Sequence, residues 1–274
     1  MTSITASSFA RRAVTTAVVL PLALWLIYMG DWFYFIPIVL IVTLATIEYA
    51  TLLATLNWKL PLWILLPAVL AQLVAGAWPN LNLFAPLLVF SLAAAMVYVL
   101  WQYETRRFNN VPATWVGTMA GIVLLGWLGG HFFRLRLIDS DPLGWQWVML
   151  VMLGTWIADS AAYLFGSQFG RRQLAPRLSP NKTVEGYFAG ILFGPLSTLV
   201  MASLFGLPAF VALILGLVVS IVSPAGDLAI SLLKREAGVK DSGQMLPGHG
   251  GALDRIDSLL WSVSIAYYVI VFLT

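Results

Sequence analysis

The sequence predicts an all-α fold, a polytopic integral membrane bundle of about nine transmembrane helices. Three observations carry that prediction. Hydrophobic residues make up 60% of the 274-residue chain and charged residues only 10%, against roughly 45–50% and 25% in globular domains. Many apolar runs approach or exceed the roughly 20 residues that cross a bilayer. No alternating ten-residue pattern of a barrel recurs, so helices are the expected spanning form.

Nine spans can be drawn in order, at approximately 13–30, 32–55, 60–78, 83–103, 112–129, 143–165, 187–205, 207–229 and 258–274. The first follows Arg11 and Arg12 as a signal peptide would. Tyr28-Met29-Gly30 is a poor cleavage site, so the segment is expected to be a retained span. Trp32, Trp58, Trp78, Trp101 and Trp145 fall near span ends, where interfacial anchors belong. Gly117, Gly121, Gly126, Gly129 and Gly130 give the fifth span small residues for close helix packing. The division between the seventh and eighth spans rests on one short turn, Gly206-Leu207-Pro208, so eight spans is the alternative. Residues 1–149 hold about five spans. Residues 150–274 hold the rest, with two charged loops at 166–186 and 230–257.

Placing the N-terminus in the cytoplasm puts 13 cations inside: Arg11, Arg12, Lys59, Arg106, Arg107, Arg171, Arg172, Arg177, Lys182, Lys234, Arg235, Lys240 and Arg255. Only Arg134 and Arg136 fall outside. This asymmetry predicts an odd number of spans and a C-terminus outside. It also accounts for the net charge of +3 without nucleic acid as a partner. Cysteine is absent, which excludes disulfides, thiolate metal sites and a cysteine nucleophile.

Ionisable residues inside spans are costly and point to function. Glu48, Asp159 and Asp227 fall there. The last two lie near the cytoplasmic ends of their spans, beside the charged loops, while Glu48 is remote in sequence and fits a structural or a functional role equally. A helix continued from Asp227 carries Ser231, Lys234 and Arg235 at spacings of four, seven and eight, on one face. An acid, a hydroxyl and two cations on one stripe suit a metal-bound polyphosphate. A snorkelling helix end explains the cations but not the acid. Beyond Lys240 and Asp241 comes Pro247-Gly248-His249-Gly250-Gly251, then Asp254, Arg255 and Asp257. Gly250 and Gly251 let backbone N–H groups approach an anion, His249 can donate to phosphate, and Asp254 is a hard oxygen ligand suited to magnesium. Asp257 is equally well placed as an early-turn helix acid. In the other loop, Asn181 or Thr183 can cap the seventh span, and Lys182 adds a point charge there. Neither loop holds a G-x-x-x-x-G-K-[ST] nucleotide signature.

The run Ser231-x-x-Lys234-Arg235-x-x-x-x-Lys240-Asp241, followed by Pro247-Gly248-His249-Gly250-Gly251-x-x-Asp254-Arg255-x-Asp257, resembles the signature of phosphatidate cytidylyltransferases, also called CDP-diacylglycerol synthases. Trp156-x-Ala158-Asp159-x-x-Ala162-Tyr163 and Ser179-Pro180-x-Lys182-Thr183-x-Glu185-Gly186 are similar to that family's upstream motifs. The resemblance implies condensation of CTP with phosphatidic acid to CDP-diacylglycerol and pyrophosphate. It implies magnesium, with Asp227 and Asp254 as its ligands, a second cation such as potassium, a homodimer and a bacterial inner-membrane location. The rival readings are a related polyprenol or dolichol kinase, an ether-lipid cytidylyltransferase, and a transporter using Glu48, Asp159 and Asp227 as a cation path.

Overall fold

The computed structural model describes residues 20–105, 110–138, 143–243 and 250–274. Arg11, Arg12, Arg106, Arg107 and His249 therefore lie outside the described residues. Helix α1 is described over Leu20–Met29, followed by α2 (Asp31–Thr55), α3 (Leu62–Ala77) and α4 (Phe84–Glu104). Helix α5 runs through Val111–Arg136, with a π-helical stretch at Ile122–Trp127. Helix α6 (Leu143–Phe169) leads into two short strands, β1 (Gln173–Ala175) and β2 (Ser179–Thr183). Helices α7 (Val184–Phe205), α8 (Ala209–Glu236) and α9 (Leu253–Leu273) complete the fold.

Each expected span has one helix, and among the described residues seven helices are long and apolar enough to cross a membrane. A 21-residue helix such as α9 is about 32 Å long, which matches a hydrocarbon core of about 30 Å. Outward-facing side chains agree: Phe90, Leu204 and Phe272 are 70%, 77% and 81% exposed, a surface suited to lipid rather than water.

Several boundaries differ from expectation. The eighth span continues through Lys234 and Arg235, as the stripe from Asp227 requires, while the ninth begins before position 258, so Asp254, Arg255 and Asp257 are helical too. Helix dipoles favour this: Lys234 and Arg235 occupy the last turn of α8, and Asp254 the first turn of α9. Arg134 and Arg136, expected in an outer loop, form the last turn of α5 for the same reason. The 166–186 loop contains an antiparallel hairpin pairing Gln173 with Thr183 and Ala175 with Ser179. Pro180 is tolerated there because a two-stranded hairpin has only edge strands.

Hydrogen bonds between helices fix the bundle. Tyr34 and Tyr49 of α2 donate to the carbonyls of Phe132 and Gly117 of α5, at 3.2 and 3.0 Å. Ser264 of α9 donates to Leu128 of α5 at 3.1 Å, and Thr198 of α7 to Ala212 of α8 at 2.8 Å. Helix α9 packs against α2, α5, α6 and α8, so it joins the N-terminal helices to the C-terminal ones. The hairpin, the C-terminus of α8 and the N-terminus of α9 lie at one end of the bundle. Tyr267, 13 residues beyond Asp254, lies about 20 Å further along α9, where its hydroxyl accepts from Arg134.

The turn dividing α7 from α8 is real. Gly206 ends α7 at φ 70°, in the left-handed region, and Pro208 caps α8. Nothing lies within 4 Å of a Cβ built on Gly206. Gly206→Ala is therefore expected to lower stability through backbone strain alone, by about 1 kcal/mol. Denaturant unfolding in detergent reads this directly, and an unchanged midpoint would show that the turn does not need glycine.

Candidate active site

Three helix termini and the hairpin bring the candidate residues together. Thr183 closes β2 and caps α7, its hydroxyl accepting from the Gly186 N–H at 3.2 Å. This is the capping role expected of Asn181 or Thr183. The preceding residue, Lys182, is delivered to α8, where its ammonium pairs with Asp227 at 2.5 Å. Asp227 also accepts from Ser231 Oγ at 3.3 Å, one turn on, as the four-residue spacing requires.

One further turn along α8, Lys234 is buried and pairs with Asp254 of α9 at 2.6 Å. The other oxygen of Asp254 accepts from the N–H of Ser242 at 2.9 Å, from its hydroxyl at 3.0 Å and from the Gly251 N–H at 3.0 Å. Asp254 thus stands in the first turn of α9 and ties Ser242 to Gly251. Asp257, one turn further along α9, is buried within electrostatic reach of Asp227, Lys234 and Asp254. Its Oδ1 accepts from the Ser258 N–H at 2.6 Å. It is a member of the charged cluster rather than an exposed early-turn acid.

Asp227 and Lys182 also line a cavity of about 270 Å³ with Asp159, Tyr163, Asn181 and Thr183. Asp159 of α6 lies within electrostatic reach of both Lys182 and Asp227. Tyr163, one turn below it, is 68% exposed on the outer surface of α6, beside the cavity mouth.

Other candidate residues are placed around this centre. Arg235 leaves the stripe and donates to the carbonyls of Leu178 and Val239, so it joins α8 to the hairpin. An exposed guanidinium eight residues from Asp227 has rotated far enough to reach the strand turn. Glu185 accepts from the N–H groups of Arg171 and Arg172 at 3.0 and 3.2 Å, tying the end of α6 to the start of α7. Ser179 pairs within the hairpin. Lys240, Asp241 and Arg255 are exposed, and Asp241 and Arg255 flank Gly250, whose φ of 78° is left-handed.

Glu48 and Ser242 are participants absent from the expected site set. From α2, Glu48 accepts from Ser242 Oγ at 2.8 Å and from the N–H groups of Ala252 and Leu253 at 2.9 Å each. An acid in an apolar span was the available signal. Its partners lie about two hundred residues away, and no spacing rule connects them.

No three His, Asp or Glu side chains among the described residues converge as a ready-made metal site. The donor chemistry nevertheless fits a hard divalent cation, since magnesium takes one or two carboxylates and completes its shell with water and substrate phosphates. Asp227 offers such oxygens at the cavity wall. Asp254 has both oxygens engaged, Oδ1 by Lys234 and Oδ2 by Ser242 and Gly251.

Fold and site together define a helical membrane protein with a phosphate-suited cluster of carboxylates and ammonium groups at one end. The chain belongs to the cytidylyltransferase family, whose profile matches residues 10–273. It is 31% identical to a phosphatidate cytidylyltransferase of Synechocystis sp., over 96% of this chain and 97% of that protein. A phosphatidate cytidylyltransferase of Brucella suis is 32% identical, over 95% and 93% of the two chains. The Bacillus subtilis protein of the same name is 36% identical over 66% of each chain.

The two ion pairs differ in burial, which predicts different consequences. The Lys234–Asp254 side chains are 9% and 10% exposed, and those of Lys182–Asp227 29% and 31%. Lys234→Met strands a buried carboxylate and is expected to cost about 3 kcal/mol. Lys182→Met, at a partly solvated pair, is expected to cost at most about 1 kcal/mol. Denaturant midpoints of the two variants test the contrast, and equal losses would contradict it.

Proposed function

We propose that this chain is a phosphatidate cytidylyltransferase, transferring the cytidylyl group of CTP to phosphatidic acid to give CDP-diacylglycerol and pyrophosphate. The observation that carries the reading is the joined cluster of Lys182–Asp227 and Lys234–Asp254 at one end of a lipid-facing bundle. The printed names of the relatives support the same substrate pair. A transporter reading finds less support, because Glu48, Asp227, Ser242 and Asp254 gather at that end and not along a midplane path.

The reaction joins two anions. A phosphate oxygen of phosphatidic acid attacks the α-phosphorus of CTP. A new P–O bond forms there as the bond to the bridging oxygen breaks, and pyrophosphate leaves with that electron pair. The nucleophile is already ionised at neutral pH, so no general base is required, and a role for His249 would be phosphate binding. The task of the protein is positioning and charge compensation. Lys182 at the cavity wall and Lys234 behind it are held in place by aspartates before substrate arrives. Lys240 and Arg255 are exposed and free to meet phosphates entering from solvent. Tyr163 and Asp159 stand where a lipid head group would come in from the bilayer.

Magnesium belongs to this proposal, with Asp227 and Asp254 as the residues that would hold it. When bound it would neutralise charge on the nucleotide phosphates. Potassium as a second cation and a homodimer complete the reading. The proposed orientation puts the N-terminus and the site in the cytoplasm of a bacterial inner membrane, and the C-terminus outside.

Purified protein given labelled CTP, phosphatidic acid and magnesium is expected to form a lipid-soluble CDP product, with polyprenol, dolichol and ether lipids as comparison acceptors. A folded wild type that makes none from phosphatidic acid would remove the assignment. Asp227→Asn is expected to lower turnover by about a hundredfold or more, at near-normal stability. Near-normal turnover in that variant would remove Asp227 from the metal and phosphate machinery.

A further inference from the structure

Glu48 lies on α2, in the N-terminal helices, yet its carboxylate is held by Ser242 and by the start of α9. Both oxygens are used. Oε1 accepts from the Ala252 N–H, and Oε2 from the Leu253 N–H and the Ser242 hydroxyl. The backbone has been shaped to admit it. A methyl group at Gly243 would collide with one Glu48 oxygen, and one at Gly251 with the other. The N-terminus of α9 therefore receives its capping carboxylate from a different helix, and glycine stands at both points of closest approach.

Ser242 makes the connection to the reaction centre. Its single hydroxyl proton is shared between Glu48, 2.8 Å away, and Asp254, 3.0 Å away, while its N–H donates to Asp254 at 2.9 Å. Asp254 in turn holds Lys234. A continuous chain of charge-assisted hydrogen bonds thus runs from Glu48 through Ser242 to Asp254 and ends on a buried ammonium. Glu48 does not line the cavity beside Asp227, so it acts at second hand.

We propose that Glu48 is a positioning residue for the transfer reaction, fixing Ser242 and the start of α9 so that Asp254 presents Lys234 in register. The kinetic part rests on the cytidylyltransferase reading. The structural part does not. Loss of positioning lowers the rate of the chemical step more than it weakens substrate binding, because misplacement by an ångström is felt chiefly in the transition state.

The test combines kinetics with hydrogen exchange on full-length protein in detergent or lipid. Glu48→Gln retains the size of the side chain but replaces one acceptor oxygen by a donor that faces backbone N–H groups. Its kcat is expected to fall about tenfold to a hundredfold, while the KM for CTP changes by less than about threefold. The amides of Ala252 and Leu253 are expected to exchange faster, with α4 and α7 unaffected. Gly251→Ala, which displaces the carboxylate, is expected to copy both effects. Combining Glu48→Gln with Ser242→Ala should cost little more than the worse single change, since both cut one linkage. If Glu48→Gln fails to fold, Ser242→Ala decides alone, because it severs the hydroxyl link and leaves the α9 cap in place. A kcat within about twofold of wild type in the folded variant overturns the proposal. So does unchanged exchange at 252 and 253. Exchange needs no substrate, so a wild type inactive on CTP and phosphatidic acid would sink the functional reading while this linkage stays open to measurement.

Discussion

The buried pair of Lys234 and Asp254 is the interaction on which the rest of the site depends. A lone ammonium or carboxylate in an apolar bundle carries a desolvation cost of several kcal/mol, so each of these groups requires the other. Asp254 goes further and uses its second oxygen on three donors from Ser242 and Gly251. One carboxylate therefore closes the N-terminus of α9, ties Ser242 to Gly251, and pins the lysine. Replacing the pair by apolar side chains would be tolerable for packing. It would remove the means by which three backbone elements are held in one arrangement.

That local arrangement is coupled to the whole bundle through α9. The helix packs on both the N-terminal helices and the C-terminal group, and its first turn is capped by Glu48 from α2. Its far end is tied to α5 through Tyr267 and Arg134. Movement of α2 relative to α8 would therefore be felt at Asp254. The aromatic and hydroxyl contacts of Tyr34, Tyr49 and Ser264 oppose such movement. In lipid, where apolar association gives little preference between neighbours, such contacts choose the partner and the register.

The spans were legible because each is an apolar run bounded by Trp, Pro, Gly or charge, and the physics of a bilayer admits few alternatives. The stripe of Asp227, Ser231 and Lys234 was legible for a local reason: 3.6 residues per turn puts them on one face. The hairpin was not. Its strands have three and five residues, and the second contains Pro180 and Lys182 without alternation. The pairings of Lys182 with Asp227 and of Glu48 with Ser242 were hidden for another reason. Each joins an isolated residue to one remote in sequence, and periodicity carries no information on which remote helices meet. Arg235 shows the converse limit, since its spacing placed it on the reactive stripe while a nearer carbonyl acceptor drew it to the hairpin.

The cations at the centre of the site are held by aspartates rather than left free, and this follows from the chemistry they serve. Lys182 lines the cavity with Asp227 and Lys234 is paired with Asp254 behind it, so each ammonium is fixed in place by a carboxylate. On the proposed reaction, incoming phosphate oxygens would replace the aspartates as partners of the lysines at little cost in reorganisation, and the released carboxylates would offer oxygen donors to a hard divalent cation. Such an exchange would offset part of the charge that a triphosphate and a lipid phosphate bring together, and it would do so with groups already in place.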